Sequence, residues 1–371
     1  MTSPPSPRSR LPAIVYALGL VSFFTDLASE MIVPLLPAFL DDLGGSAVQL
    51  GVLVGISELI VAALRLLSGA LSDRMRRRKP WVVGGYALSS LVRPLFALVQ
   101  TPWQAIAVRS GDRIGKGLRS PPRDALIAGV VDPRHRGRAF GVEMRTLFAL
   151  ALAPGLAAVL VLWLFVRENG VAQAVADPTA AGGSSDGVRR LLPFLAVVAF
   201  AAVSASIDLF AIRRALDLGC AVAQLPLLWV LLHVVRSLFA GRFGSLSDRL
   251  GRRGVMTVGL GVHAVVLGGF AVADSAVWMW PLFTLLGLHA ALTEGAERGY
   301  VADLTGASKH GAAFGVYYTV HGLAAFAGSY AIGAAWDGLG AAAGFGTAAG
   351  AAVMAMVLLA IVGRHGPRRG A

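Results

Sequence analysis

The 371-residue chain is 56% hydrophobic and only 15% charged, with a mean hydropathy of +0.68, which excludes a water-soluble globular domain and places the chain in a bilayer. Its net charge of +12 does not point to nucleic acid, because the cations gather in short clusters between apolar runs, Arg74 to Lys79 and Arg249 to Arg253, and form no continuous basic face. One cysteine, Cys220, leaves no material for an internal disulfide or a multi-thiolate metal site.

In chain order, residues 1–12 are rich in proline and serine with Arg8 and Arg10, and read as a cytosolic tail with no cleaved signal. Eleven apolar segments follow: 13–40, 47–71, 80–99, 103–131, 139–166, 191–212, 221–243, 255–273, 276–303, 312–336 and 341–362. Each is long enough to span as a helix, and none shows the apolar/polar alternation of a barrel strand. The expected fold class is therefore all-α and polytopic. Residues 167–190, which contain Asp177-Pro178 and Gly182-Gly183-Ser184-Ser185, read as a linker between a first bundle, 13–166, and a second, 191–363, with 364–371 as a tail.

The two bundles are copies. Gly69-Ala-Leu-Ser-Asp73-Arg74-Met-Arg-Arg77-Arg78 returns 175 positions later as Gly244-Ser-Leu-Ser-Asp248-Arg249-Leu-Gly251-Arg252-Arg253. Upstream, Gln49-Leu50 and Leu53 fall on Gln224-Leu225 and Leu228 at the same offset, so a whole helix and its loop are repeated. Gly315, Gly322 and Gly328 fit close helix packing in lipid.

Halves that each carry Gly-x-x-x-Asp-Arg-x-Gly-Arg-Arg between a second and third helix resemble the major facilitator superfamily of secondary transporters. The second copy is complete, whereas the first has Arg76 at the usual glycine. Gly115-Lys116-Gly117-Leu-Arg119-Ser-Pro-Pro122-Arg123-Asp124-Ala-Leu-Ile127 resembles a prokaryotic subgroup of the same superfamily. The resemblance implies two pseudo-symmetric bundles, alternating access, a small solute as substrate, protons as coupling ion and no cofactor. It also implies a monomer in the cell membrane with a cytosolic N-terminus.

The fourth segment carries weight on physical grounds as well. At 100° per residue, Arg109, Asp112, Arg113, Lys116, Arg119, Arg123 and Asp124 fall within an arc of about 140°. Ionised side chains at mid-membrane cost about 2.5–3.5 kcal/mol each on insertion scales, so the stripe must line a wet cavity or meet partners. Arg109, Asp112, Arg113 and Lys116 are the deepest. Arg119, Arg123 and Asp124 lie toward the cytosolic end, where solvation or headgroup contact is the simpler role.

Carboxylates elsewhere complement the stripe. Asp26 and Glu30 share a face of the first helix, and Glu58 and Arg65 lie in the second. Each either takes part in proton and substrate binding or closes a structural ion pair, and Pro34 and Pro37 should kink the chain just after Glu30. In the second half the candidates are Asp208, His233, Arg236, Glu294, Glu297 and Arg298, and an offset of 174 sets Glu297-Arg298 opposite Arg123-Asp124. The substrate and proton pathway is thus expected among Asp26, Glu30, Glu58, Arg65, Arg109, Asp112, Arg113, Lys116, Asp208, His233, Arg236 and Glu294.

A cytosolic latch is expected to pair Asp73 with Arg119 or Arg123, and Asp248 with Arg298. His263, His289 and His321 read as packing residues. No metal-ligand spacing, phosphate loop or nucleophile with a base is present in the sequence, so enzyme chemistry has no support. Only five segments separate the two basic loops, which would put them on opposite faces, against the positive-inside rule. Segment 139–166 therefore either folds back as a re-entrant pair or marks a chain that kept the fold and lost transport, a receptor or scaffold.

Overall fold

The computed structural model describes residues 21, 25, 28–75, 79–130, 186–305 and 310–364. Among these the only regular elements are helices, the form in which a chain in lipid satisfies every backbone N–H and C=O within its own segment. They are α1 (Leu36–Asp42), α2 (Ala47–Met75), α3 (Lys79–Val92), α4 (Pro102–Val130), α5 (Asp186–Ala205), α6 (Asp208–Asp217), α7 (Leu225–Leu250), α8 (Arg252–Val272), α9 (Met279–Thr305), α10 (His310–Leu339) and α11 (Ala341–Arg364). Among the described residues seven stretches are long and apolar enough to cross a membrane, including Leu191–Asp217, which joins α5 and α6. Helix α5 begins at Asp186, inside the stretch with linker composition. Segment 139–166, on which the loop-parity question turns, lies outside the described residues.

The kink expected near Pro34 takes the form of a 3₁₀ turn, Val33–Leu35, ahead of α1. A second 3₁₀ stretch, Arg93–Leu98, follows α3 where Pro94 removes a backbone donor. A third break divides α5 from α6 at Ser206 and Ile207, with no proline or glycine to cause it. There the Ser206 hydroxyl donates to the carbonyls of Ala202, at 2.8 Å, and Ala325, at 3.2 Å.

Two compact units emerge. One holds residues up to Glu30, Leu64–Leu95 and Gly111–Ala181, and the other holds Met31–Ala63, Phe96–Ser110 and Gly182–Ala371. In the first, α3 and α4 cross at Gly85 and Gly115. A Cβ on Gly85 would run into the Gly115 carbonyl and Arg119, so both positions exclude a side chain.

In the second unit α7 packs on α9, α8 on α9 and α11, and α5 on α10 and α11. Its core joins Phe210, Phe270, Phe283, Trp336 and Phe345, with Phe270 and Phe345 stacked at 5.2 Å. Gly322 and Gly328 serve close packing as expected, Gly322 against Ala62 and Gly328 against Val203. The starts of α2 and α4 also belong to this unit, so helices from both copies of the duplication pack within it.

Candidate functional site

Two groups of charged residues stand out, one in each unit. In the first unit, Arg93 sits at the 3₁₀ break after α3. Its Nε donates to Asp112 Oδ1 at 3.0 Å and its Nη1 to the Thr25 carbonyl at 3.0 Å. The pair is dry, with the Arg93 side chain 9% exposed and that of Asp112 2% exposed. Burying two charges is tolerable only when each is paired and hydrogen-bonded, and this geometry supplies both conditions.

The same crossing holds Arg119. Its Nη1 donates to Ser89 Oγ at 2.9 Å, its guanidinium lies 4.5 Å from the Tyr86 ring centre, and Ser89 Oγ donates to the Asp112 carbonyl at 3.1 Å. Asp112 and Arg119, expected on a solute path and at a latch, are therefore both engaged in joining α3 to α4. Of the remaining α4 stripe, Arg109 is buried while Arg113, Lys116 and Arg123 are half-buried. Ser68 Oγ donates to the Gly117 carbonyl at 3.0 Å and ties α2 to this helix.

The second group centres on the break between α5 and α6. Asp208 occupies the first turn of α6, where the helix dipole favours a carboxylate, and a helix interrupted inside a span is a usual place for solute and ion sites. Within electrostatic reach of Asp208 lie His233 and Arg236 of α7, Glu294 of α9 and Glu58 of α2. Arg236 Nη2 donates to Glu294 Oε2 at 2.7 Å, and Arg298 Nη2 stands 3.7 Å from that oxygen. His233 Nδ1 lies 2.9 Å from the Trp229 carbonyl, which can only accept, so Nδ1 donates.

One turn further along α9, Glu297 accepts a hydrogen bond from Tyr317 of α10 and lies beside Arg298. Tyr318 packs against Tyr317 with centroids 4.9 Å apart, and His321 lies one helical turn on. The groups gathered here are thus aromatic on α10 and charged on α7 and α9. Two further histidines, His263 and His289, stack on each other at 3.9 Å and bond the carbonyls of Ser204 and Gly259, as packing residues do.

In the basic loop after α7, Asp248 pairs with a residue other than the Arg298 that the latch expectation named. Asp248 pairs with Arg252 at 3.2 Å, and Arg252 Nε donates to Asp303 Oδ2 at 2.6 Å, while Arg298 turns to Glu294. Arg252 outcompetes Arg298 because it lies one turn from Asp248 across a short junction. Arg253 Nε donates to the Tyr300 hydroxyl at 2.7 Å. Gly251 joins α7 to α8 at φ +94°, a backbone region that penalises any side chain, which accounts for a glycine at this motif position.

Of the first copy, Gly69, Asp73 and Arg74 have helical backbone, but the side chains of Asp73 and Arg74 lie outside the described residues, as does that of Asp124. Asp26, Arg77 and Arg78 lie wholly outside them. Gly244 and Arg249 fall in the last turns of α7, Glu30 in the helical turn before Val33, and Arg65 half-buried in α2. Among the described residues no three His, Cys, Asp or Glu side chains gather as a metal site.

Sequence reasoning missed Arg93, although an arginine before a proline inside an apolar run was a readable signal. It also missed Asp337, whose carboxylate accepts from Ala47 N and Val48 N.

Comparison with known proteins agrees with this architecture. The family model of the Major Facilitator Superfamily matches residues 18–167 and 142–329. An uncharacterised MFS-type transporter of Methanocaldococcus jannaschii is 33% identical over 352 residues, covering 87% of this chain and 88% of that protein. The multidrug resistance protein MdtH of Cronobacter sakazakii is 35% identical over 108 residues, 29% of this chain and 26% of its own. Among solved structures, a bacterial homolog of the human lysosomal transporter Spinster, inward-facing and unoccupied, superposes with a TM-score of 0.70 at 16% identity, over 94% of both chains. Duplicated basic loops, apolar helices and full-length likeness converge: the chain belongs to the major facilitator superfamily, as a multi-pass membrane transporter.

Proposed function

We propose that the protein is a proton-coupled antiporter that exports a drug-like organic solute by alternating access, with the Asp208 cluster as its exchange site. One observation carries the reading. Asp208 has His233, Arg236, Glu294 and Glu58 within electrostatic reach, and Glu297 lies beside Arg298 and Glu294. Carboxylates gathered within membrane spans call for balancing charge, and a proton or a cationic solute can supply part of it. If both compete for the same oxygens, loading one releases the other, and that is antiport.

Half-buried Tyr318 adds an aromatic face suited to a flat or cationic solute. Similarity to a multidrug resistance protein over part of the chain points the same way. The basic loops, by the positive-inside rule, lie in the cytosol, and the chain acts as a monomer in the cell membrane. A second reading, an anionic metabolite as substrate, is favoured by Arg109, Arg113 and Lys116 on one side of α4.

The purified chain in proteoliposomes decides. Under an imposed pH gradient, uptake of organic cations that dissipates the gradient is expected. Flux of anions alone selects the second reading, and no flux over a broad panel identifies a receptor or scaffold. Asp208→Asn should abolish the pH response while the protein remains folded.

A further inference from the structure

At the end of the bundle opposite the basic loops, the four N–H groups at the start of α2, those of Ser46 to Gln49, are all accounted for. No helix can satisfy these donors internally. Gln49 N bonds Ser46 Oγ at 3.2 Å, and Gln49 Oε1 returns the bond to Ser46 N at 3.0 Å, a local capping box. Leu50 N closes the first intrahelical bond, to the Ser46 carbonyl, at 3.1 Å. The two donors left over, Ala47 N and Val48 N, are taken by Asp337 of α10, one carboxylate oxygen each, both at 2.8 Å.

The cap thus comes from the other copy of the duplication, 290 residues away. Backbones touch beneath it, since a Cβ on Gly333 would strike the Ala47 carbonyl and one on Gly51 the Ser329 carbonyl. Arg213 of α6 and Asp41 of α1 pair at 2.9 Å at the same end, again joining the two copies. In a carrier whose halves rock, α2 and α10 must part here for this end to open. Parting returns the carboxylate and both N–H groups to water, so the bonds stabilise one conformation only.

We propose that Asp337 is a positioning residue of the transport cycle, a clasp that holds the end distal to the basic loops closed by capping α2 from the opposite half. The proposal rests on the alternating-access family and is independent of the proton coupling and substrate proposed above.

The test reads conformation instead of flux. Spin labels are placed at Leu98→Cys and Val277→Cys, two exposed distal positions in opposite halves, in a Cys220→Ser background, and their distance distribution is measured in nanodiscs. Asp337→Ala is expected to raise the ratio of long to short distances about three- to thirty-fold, the range that loss of a capping carboxylate gives. Asp337→Asn, which keeps one acceptor oxygen, should shift it less and in the same direction. Asp274→Ala removes an exposed carboxylate from the α8–α9 connection at the same end and should leave the distribution unchanged. Parent-like distances in both Asp337 variants overturn the proposal, as does an equal shift in Asp274→Ala.

Discussion

Arg236 and Arg298 share one oxygen of Glu294, at 2.7 Å and 3.7 Å. The Arg236 and Glu294 side chains are each 37% exposed. That degree of solvation keeps the attraction small, so the pair serves exchange better than stability. Glu294→Gln is therefore expected to cost under about 1 kcal/mol of stability. In the proposed antiporter it should lower pH-driven flux at least about tenfold, one tenfold step being about 1.4 kcal/mol of lost coupling. Thermal melting and proteoliposome flux on one preparation check both halves; a large loss of melting temperature with flux retained sinks the prediction.

Arg93 and Asp112 behave in the opposite way. Their contact is dry, and removing one charge from a buried ion pair costs up to about 3–5 kcal/mol. Arg93→Ala should lower the yield of monodisperse protein sharply, whereas Arg93→Met combined with Asp112→Leu should recover much of it. Size-exclusion profiles and melting in detergent separate the two. If the double variant also transports, Asp112 has no place on the solute path.

These contrasts mark what was legible in the letters. The all-α class, the duplicated loop and the acidic and basic residues of α6, α7 and α9 follow from hydropathy, repeat offset and charge in apolar runs. A residue's partner does not follow. Asp112 and Lys116 share a helix face, yet Asp112 is engaged by Arg93, and only the α3–α4 crossing decides that. Asp337 gave no signal, because an aspartate near a helix end is ordinary and its role depends on the N-terminus of a helix 290 residues away. The break at Ser206–Ile207 was hidden for the same reason, being stabilised by a hydroxyl bond to α10 and not by proline or glycine.

Neighbouring glycines offer a matched test of the α3–α4 crossing. A methyl on Gly85 would collide with the Gly115 carbonyl and Arg119, while one on Gly84 would meet nothing. Gly85→Ala is expected to destabilise by about 1–3 kcal/mol, as overpacking does. Gly84→Ala should be neutral or slightly stabilising through better helix propensity. Melting curves of the two variants in the same detergent give the comparison, and equal melting temperatures would show that α3 and α4 can slide apart.

The other ion pair at the distal end carries a pH dependence whose sign differs from intuition. Burial pushes the Asp41 carboxyl above the usual carboxylate range, the Arg213 guanidinium opposes the shift, and Asp217 and Asp42 add to it. Opening the distal end returns Asp41 to water and toward its ordinary value, so the closed state binds the proton more tightly. Its contribution to closure is complete below the ordinary carboxylate pKa and is lost as pH rises through the raised value. Lowering the pH from about 7 to about 4, across the carboxylate range, should therefore increase the closed population in the parent. Asp41→Asn should fix that population high at both pH values, opposite to Asp337→Ala. The Leu98–Val277 distance distribution at the two pH values checks this: if Asp41→Asn opens the distal end as Asp337→Ala does, attraction to Arg213 outweighs burial and the sign is reversed.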